Sequence, residues 1–289
     1  MRMYPFGTYY RSAGLYWLPD FENAPLKEAK TMDDIENYPY WPDPDEPVYT
    51  AGLREAAKEL HEKTDYAILG DAGHASYLCH LYHFLRGFEQ WFVDMKRNPG
   101  FYRALMDKIV GCNIELAKRF YGAVGDYIDV AQVSCDDMGW QQGPFLSPKD
   151  YKQFVKPWAA RYITEVRTLT KAKIFYHCDG SIAPLIEDFI DIGVEIISPV
   201  LNQGRDMEPE KLKKRYGDKI CFHSGIDVQE VLPFGTVDEV RDHVQRVIRE
   251  LAPGGGYIFA VNDIKPEVTP QNIIAAYKTA QEFGRYPIR

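Results

Sequence analysis

The sequence predicts an α/β fold, specifically a (β/α)8 barrel that is incomplete or irregular at its N-terminal strands. From Ala51 onward, short apolar segments alternate with longer amphipathic ones. This alternation predicts strands joined by helices, and therefore parallel strand pairing. About six strand–helix units occupy the region, which favours a barrel over an open sheet. No predicted strand is followed by the G-x-G-x-x-G fingerprint of a dinucleotide-binding sheet.

The first half of the barrel region contains two predicted strands and several helices, the last of which contains two prolines. They are a helix at 56–63, a strand at 66–69, helices at about 78–95 and 99–121, and a strand at 126–133. After a loop, Ser147 is suited to cap a helix that has Pro148 at its first position. Pro157 should kink or divide this helix, because proline lacks the backbone N–H that a helix interior requires.

The second half continues the alternation. It comprises strands at 173–176, 195–200 and 256–260, a strand and turn at 219–227, and helices beginning near 182, 207, 236 and 270. Gly217 is placed to end one of these helices. Thr236 and Glu239 have the spacing of a capping box, which predicts a helix start.

The first fifty residues differ from the rest. Pro39 to Pro47 contains four prolines, which indicates an extended surface loop. We predict an irregular segment at 1–50 and a barrel domain at 51–289. The strand count is then two short of eight. Either the aromatic N-terminal stretch supplies irregular strands, or a partner completes the barrel.

Composition excludes several functions. A formal net charge of −8 argues against binding to nucleic acids or to anionic membranes. No apolar stretch approaches the length of a membrane span, and no signal peptide is visible. The five cysteines are scattered and odd in number, which is typical of reduced thiols. We therefore expect a cytoplasmic protein.

Chemically versatile residues cluster where predicted strands end. Parallel barrels carry their reactive groups at the C-terminal ends of strands. The strand-end residues are Asp136, Asp137, Gln141, His177, Cys178, Asp179, Asn202, Gln203, His223, Asp227, Asn262 and Asp263.

Of these residues, His177 and Asp179 are the pair that most clearly indicates a functional site. Alternate residues of an extended segment share a face, so both side chains can point one way while Cys178 points the other. This arrangement suits a metal bound by nitrogen and oxygen, with Asp263 as a third ligand. The alternative is a carboxylate that orients a neutral histidine, or an Asp179 that caps the next helix.

The remaining candidates have catalytic and structural interpretations side by side. Asp136 and Asp137 are candidates for a general acid or a charged anchor, since adjacent carboxylates raise one pKa; capping the turn at Gly139 is the alternative. His223 is either catalytic or a core histidine. Arg86 and Arg205 are candidate anchors for a carboxylate or phosphate.

At these residues the sequence resembles the uroporphyrinogen decarboxylase superfamily, from about Pro39 to Ile288. The superfamily contains decarboxylases and methyltransferases that use corrinoid proteins. The resemblance rests on LRGFEQWFVDMKRNP, VGDYIDV, DDMGWQQGPFLSPKDYKQFVKPW, HCDGSIAPLIEDFIDIGVEIISPV, LKKRYGDKICFHSGIDVQEVLPFGTVDEV and GGGYIFAVNDIKPEVTPQNI.

The resemblance implies a (β/α)8 barrel and also separates two branches. The porphyrin decarboxylases have an early RQAGRY segment, and the nearest string here keeps Arg11 but lacks the second arginine. The DDxGxQ and SPxxY segments look more like the methyltransferase-type branch. That branch holds zinc by a His-x-Cys motif and a later cysteine. Here His177 matches the histidine, whereas Asp179 and Asp263 stand in for the cysteines.

Three functions follow from the resemblance and the residues. The leading prediction is a methyltransferase that moves a methyl group to or from a corrinoid (cobalamin) on a partner protein, or another one-carbon carrier. In it, His177, Asp179 and Asp263 form a metal site, for which zinc is the candidate ion, or an acid/base site. The candidate catalytic groups are Asp136, Asp137, His177 and His223. The alternatives are a decarboxylase of a tetrapyrrole or smaller acid, and a non-catalytic barrel subunit. We expect a homodimer that binds its substrate through Gln141, Asn202, Gln203, Arg205, Asp227 and Asn262.

Overall fold

The protein is described here by a computed structural model that covers residues 2–14, 16–201, 203–262 and 264–288. Strands and helices alternate along most of this chain, which confirms the predicted α/β class. The strands are β1 (Arg2–Met3), β2 (Tyr9–Ala13), β3 (Tyr16–Pro19), β4 (Leu69–Asp71), β5 (Val130–Cys135), β6 (Gly139–Trp140), β7 (Gly143–Pro144), β8 (Lys173–His177), β9 (Ile196–Ser198), β10 (Cys221–His223) and β11 (Tyr257–Ile258).

Six of these strands form a parallel sheet in the order β11-β10-β9-β8-β5-β4. In β8, β9 and β10, Tyr176 is in register with Ile197, and Ile197 is in register with Phe222. Side chains such as Ile174, Ile197 and Phe222 are at most 2% exposed, so apolar burial accounts for these strands. The described residues contain six parallel strands, two fewer than a complete barrel would have.

The N-terminal strands form a sheet of their own. β1, β2 and β3 pair antiparallel, with Tyr10 opposite Pro19 and Ser12 opposite Trp17. The aromatic stretch therefore forms strands, but within the described residues they pair with one another and do not join the parallel sheet. How the missing barrel strands are supplied stays a prediction.

The helices alternate with these strands along the chain. They are α1 (Met32–Glu36), α2 (Leu53–Lys63), α3 (Cys79–Arg86), α4 (Phe88–Arg97), α5 (Pro99–Val124), α6 (Pro148–Asp150), a π-helix (Tyr151–Val155), α7 (Lys156–Leu169), α8 (Ile186–Asp191), α9 (Pro209–Tyr216), α10 (Val231–Phe234), α11 (Val237–Leu251) and α12 (Pro270–Phe283). Among the described residues, none of these helices combines the length and apolar character needed to cross a membrane.

Several predicted boundaries were wrong. The single helix predicted at about 78–95 is two helices, α3 and α4, because Gly87 has a φ of 99° that a helix does not accommodate. The strands predicted to start at residues 66 and 126 begin at Leu69 and Val130. The predicted loop after β5 contains the hairpin β6–β7, and the helix predicted near Ile182 begins as a 3-10 turn.

Two of the predicted helix signals are confirmed. In α11, the Thr236 hydroxyl accepts the Glu239 N–H and the Glu239 carboxylate accepts the Thr236 N–H, which is the predicted capping box. Between Pro148 and Pro157, the helix changes from α to π and back to α. Pro157 therefore divides the helix, since its missing N–H and its ring disturb the preceding turn.

The chain forms two compact units, each with its own core. The first comprises Met1–Asp136 and Asp150–Ile174, and the second comprises Asp137–Lys149 and Phe175–Arg289. The largest buried side chains include Trp91 and Tyr121 in the first unit and Phe189 and Phe222 in the second. Burying one such side chain contributes roughly 1.5–3 kcal/mol to stability. The predicted boundary at residue 50 stays a prediction.

Arg86, a predicted substrate anchor, belongs to the core of the first unit. Its Nε lies 2.8 Å from Oδ2 of Asp94, and both side chains are almost fully buried. Its Nη1 donates to the backbone carbonyls of Leu26, Lys27 and Ala29, each at 2.7 Å. The guanidinium therefore ties the N-terminal segment to α3, and most of its N–H groups are used in these structural contacts. Its role as a substrate anchor stays a prediction.

Candidate active site

Three polar side chains end neighbouring strands of the second unit. His177 is the last residue of β8, Ser198 of β9 and His223 of β10. His177 is in register with Ser198. Because the three strands are parallel, these side chains meet at the C-terminal edge, which is where α/β enzymes bind their reactants.

His177 lies within reach of two carboxylates. Its Nε2 is 3.7 Å from Oδ2 of Asp179 and 4.0 Å from Oδ1 of Asp137. The backbone N–H of Asp179 donates to Oδ1 of Asp137 at 2.9 Å, which orients that carboxylate. All three side chains are about 30% exposed, so a solvent molecule or ligand can reach them.

Two glycines hold these carboxylates together. A Cβ at Gly180 would lie 2.3 Å from the backbone of Gly139, and Gly180 has a φ of 102°. Only glycine accommodates both constraints. Ser181 strengthens the contact, because its N–H donates to the carbonyl of Trp140 and its hydroxyl to that of Gln141. The loop after β8 is therefore fastened to the β6–β7 hairpin, with Asp179 and Asp137 next to each other.

Asp137, His177 and Asp179 have the composition and spacing of a metal site. One ligand atom from each lies within 4.8 Å of the others. A tetrahedral ion with bonds of ~2 Å would place its ligand atoms roughly 3.3 Å apart, so the most widely separated pair of ligand atoms would have to close by up to ~1.5 Å when an ion binds. One imidazole and two carboxylates suit a borderline or hard divalent ion better than a soft one.

Cys178 lies between the two ligand candidates and is fully buried, whereas His177 and Asp179 are about 30% exposed. Its backbone N–H donates to the carbonyl of Ser198 at 2.7 Å. This alternation agrees with the expectation that Cys178 faces away from the other two.

His223 is held beside this cluster. Its Nδ1 lies 2.8 Å from Oγ of Ser198, and its ring packs edge-on against Phe175 at a centroid distance of 5.1 Å. Burial, with a smaller contribution from His177, lowers the pKa of His223 to about 4. The imidazole is therefore neutral at physiological pH.

Asp136 occupies a different environment, inside the first unit. It is 1% exposed, and its carboxylate accepts the backbone N–H groups of Leu78, Cys79 and His80 at 2.8–3.2 Å. Burial raises the pKa of Asp136 despite these donors. Through these contacts, Asp136 caps the N-terminus of α3. Its catalytic role stays a prediction.

Gln141 and Asp227, two predicted binding residues, have structural partners. Nε2 of Gln141 donates to Oε1 of Gln229 at 2.6 Å. Oδ1 of Asp227 accepts the backbone N–H groups of Gln229 and Glu230 at 2.9 and 2.8 Å, which stabilises the turn before α10. Their roles in binding remain predictions.

The other predicted binding residues are spread along later loops. Arg205 is 72% exposed, with Nε 3.8 Å from Oδ2 of Asp206. The amide atoms of Gln203 are buried and have no hydrogen-bond partner within the described residues. Asn262 is half-buried in the segment after β11. Asn202 and Asp263 lie outside the described residues, so their predicted roles stay predictions. Among the described residues, Asp137 is the third ligand candidate beside the His177–Asp179 pair.

Sequence reasoning missed two features at the strand ends. Ser198 was not singled out, because a serine before a proline resembles an ordinary strand end. The available signal was that Ser198 ends the strand between two strands that each end in a histidine. In the first unit, Nε2 of Gln132 lies 3.3 Å from Oδ2 of Asp71 and 2.8 Å from Sγ of Cys135. These three residues form a second polar group at the ends of β4 and β5.

Comparison with known proteins agrees with this fold. The uroporphyrinogen decarboxylase (URO-D) family model matches residues 16–283, and the chain therefore belongs to the uroporphyrinogen decarboxylase family. A uroporphyrinogen decarboxylase from Trichodesmium erythraeum is 25% identical over 187 residues, which are 61% of this chain and 50% of the relative. Another from Trichlorobacter lovleyi is 26% identical over 267 residues, or 88% and 70%.

Among solved structures, a methyltransferase from Methanosarcina mazei has a similar fold. The TM-score is 0.63, with 17% identity, and the match covers 97% of this chain and 77% of the other. This likeness supports the fold predicted from the sequence. The chain spans half the length of the first curated relative and 70% of the second.

Proposed function

We propose that this protein is a metal-dependent methyltransferase of the uroporphyrinogen decarboxylase family. The observation that carries the proposal is the convergence of Asp137, His177 and Asp179 within 4.8 Å at the ends of parallel strands. The fold similarity to a protein named as a methyltransferase supports it.

In this proposal, His177, Asp137 and Asp179 hold a zinc ion, which when bound lowers the pKa of a coordinated thiol or similar acceptor. The Asp179 N–H orients Asp137 through its hydrogen bond, so that the carboxylate is positioned before the ion binds. His223 offers a neutral imidazole next to the cluster. The protein would transfer a methyl group between this acceptor and a corrinoid carried by a partner protein, or another one-carbon carrier. It would act as a homodimer.

Metal analysis tests the site directly. Protein purified without a chelating tag should contain one zinc per chain, and His177→Ala should lose it. His61→Ala, which changes an exposed histidine on α2, should keep it. Equal metal content in the three proteins would contradict the proposal.

The methyltransferase reaction has its own assay. Zinc-loaded protein should demethylate methylcobalamin in the presence of a thiol, measured by the change in cobalamin absorbance, and His177→Ala should abolish this activity. Analytical ultracentrifugation tests the homodimer. Retention of corrinoid proteins from an extract is a weaker test, since it does not identify the reaction.

A second candidate is a decarboxylase, because both curated relatives are named uroporphyrinogen decarboxylase. Asp136 or Asp137 would then stabilise charge on a carboxylated tetrapyrrole or smaller acid. Release of carbon dioxide from uroporphyrinogen by metal-free protein would favour this function. Inertness in both assays would favour a non-catalytic subunit.

A further inference from the structure

His223, which is half-buried, and Ser198, which is buried, form a hydrogen-bonded pair at the ends of β10 and β9. The open question is which ring nitrogen of His223 carries the proton. Oγ of Ser198 and Nδ1 of His223 are 2.8 Å apart. In one arrangement the hydroxyl donates to an unprotonated Nδ1. In the other, a protonated Nδ1 donates to the hydroxyl oxygen. The two tautomers present opposite chemistry at Nε2.

The surroundings of Ser198 decide between these arrangements. Ser198 is 1% exposed, so water is not at hand to accept its hydroxyl proton. Within the described part of the chain, Nδ1 of His223 is the one hydrogen-bond partner of this hydroxyl. If Nδ1 were protonated, the Ser198 proton would be buried without an acceptor, which native proteins rarely tolerate.

The other ring nitrogen is in a different position. Nε2 of His223 has no hydrogen-bond partner among residues 2–14, 16–201, 203–262 and 264–288. Nor is Nε2 of His223 one of the fully buried side-chain atoms without a hydrogen-bond partner among these residues. Nε2 is therefore at least partly accessible. His177 lies near enough to affect the pKa of His223, so the two imidazoles belong to the same cluster of strand ends.

We infer that Ser198 is a positioning residue that donates its hydroxyl proton to Nδ1 and so fixes His223 as the Nε2–H tautomer. His223 then presents a hydrogen-bond donor to the reactant, and has no lone pair there for a metal or a proton. The edge-on contact with Phe175 keeps the ring in this orientation. The expected ligand group is an acceptor oxygen, such as a carboxylate or carbonyl of the bound molecule.

This inference deepens the proposed function and rests on it for the role of the site, but not for the tautomer. It changes the role predicted from sequence: a neutral imidazole protonated at Nε2 is neither a general base nor a metal ligand. It also separates the two histidines at the strand ends, since His177 contributes a lone pair to the metal and His223 contributes a proton donor.

Nitrogen-15 NMR of histidine-labelled protein at neutral pH tests the inference without any substrate. Long-range proton–nitrogen correlations identify the protonated nitrogen, and His223→Gln assigns the signals. We expect protonated Nε2 and unprotonated Nδ1 in the native protein. Ser198→Ala should give a mixture of tautomers, whereas Ser198→Thr, which keeps the hydroxyl, should restore the native pattern.

Two results would overturn the inference. One is a native protein protonated at Nδ1, and the other is a Ser198→Ala spectrum unchanged from the native one. Circular dichroism checks that each variant is folded. If Ser198→Ala does not fold, Ser198→Thr is used instead, and it should show the native tautomer.

Zinc affinity provides a second readout. His223→Gln should bind zinc within about threefold of the native protein, because the native Nε2 has no lone pair to lose. A loss of tenfold or more would show that Nε2 binds the metal and would overturn the inference. If instead His177→Ala retains zinc while the tautomer is as expected, the proposed metal site fails and the Ser198–His223 assignment stands.

Discussion

At the scale of single residues, buried histidines couple the stability of this protein to pH. His243 is 5% exposed, and its Nε2 accepts the backbone N–H of Asp227 at 2.9 Å. Burial, with a smaller effect from Arg246, lowers the pKa of His243 to about 4. Burial also holds the pKa of His83 well below its usual value. Both imidazoles are therefore neutral when folded, and they charge more readily when the chain unfolds.

The first prediction concerns pH. Between pH 6.5 and 4 the unfolded chain binds more protons than the folded one, so the free energy of unfolding should fall as the pH is lowered. His243 alone contributes up to roughly 3 kcal/mol to this fall. Denaturant titrations at several pH values measure it.

A matched variant isolates this contribution. His243→Gln keeps an acceptor for the Asp227 N–H but does not titrate, so its stability should change less over the same pH range. Identical pH dependence in the two proteins would show that His243 is not the source.

At the scale of elements, the site depends on close contact between the loop after β8 and the β6–β7 hairpin. The backbone of Gly180 touches that of Gly139 so closely that a single methyl group does not fit. This contact places Asp137 beside Asp179, although 41 residues intervene between them in the sequence.

The second prediction is that Gly180→Ala lowers the free energy of unfolding by about 2–4 kcal/mol and weakens zinc binding. The added Cβ collides with backbone, and the φ of 102° is strained for alanine. Gly111→Ala is the control, because Gly111 lies inside α5 with no atom within 4 Å of the new Cβ. It should be neutral or stabilise by up to ~1 kcal/mol. Equal effects in the two variants would contradict this account.

A third prediction concerns the anchor of the N-terminal segment. Arg86→Met leaves Asp94 as a buried carboxylate without its cation and frees three backbone carbonyls. We expect a loss of about 3–5 kcal/mol in denaturant unfolding, and faster proteolysis of the first 30 or so residues. Lys58→Ala removes an exposed pair with Glu62 at 3.7 Å and should cost less than ~1 kcal/mol. If Arg86→Met lowered the free energy of unfolding by no more than Lys58→Ala, the Arg86–Asp94 ion pair would not be structural.

At the scale of the whole molecule, a metal that binds only the folded protein must stabilise it. We expect zinc at a hundredfold excess over its dissociation constant to raise the free energy of unfolding by about 2.7 kcal/mol. A chelator should remove this gain, and His177→Ala should be insensitive to both. Thermal unfolding with and without zinc measures the effect. A gain of equal size in His177→Ala would place the metal elsewhere.

Local signals allowed much of the fold to be predicted. Thr236 with Glu239, Pro148 and Pro157 act on neighbouring backbone, so their effects could be inferred without knowing the rest of the chain. The break at Gly87 was missed, because a glycine within an amphipathic pattern costs a helix only ~1 kcal/mol and is often tolerated. Whether Gly87 adopts a positive φ depends on how α3 and α4 pack.

The candidate site was predictable only in part. His177 and Asp179 are neighbours in one extended segment, so their proximity follows from the strand period. The choice of Asp137 as the third ligand candidate does not, because it depends on the contact between Gly139 and Gly180. The separation of Asp136 from Asp137 is also tertiary: one caps α3 and the other faces His177.

The sequence by itself determined the alternation of strands and helices, the helix caps and the ends of strands that carry polar groups, because each of these depends on interactions between residues close in the chain. Only the tertiary structure decided which of those groups meet, which carboxylate is occupied by backbone donors and that Ser198 lies next to His223. The physical reason is that parallel strands bring together residues far apart in sequence, and burial then fixes which hydrogen bonds and protonation states they adopt.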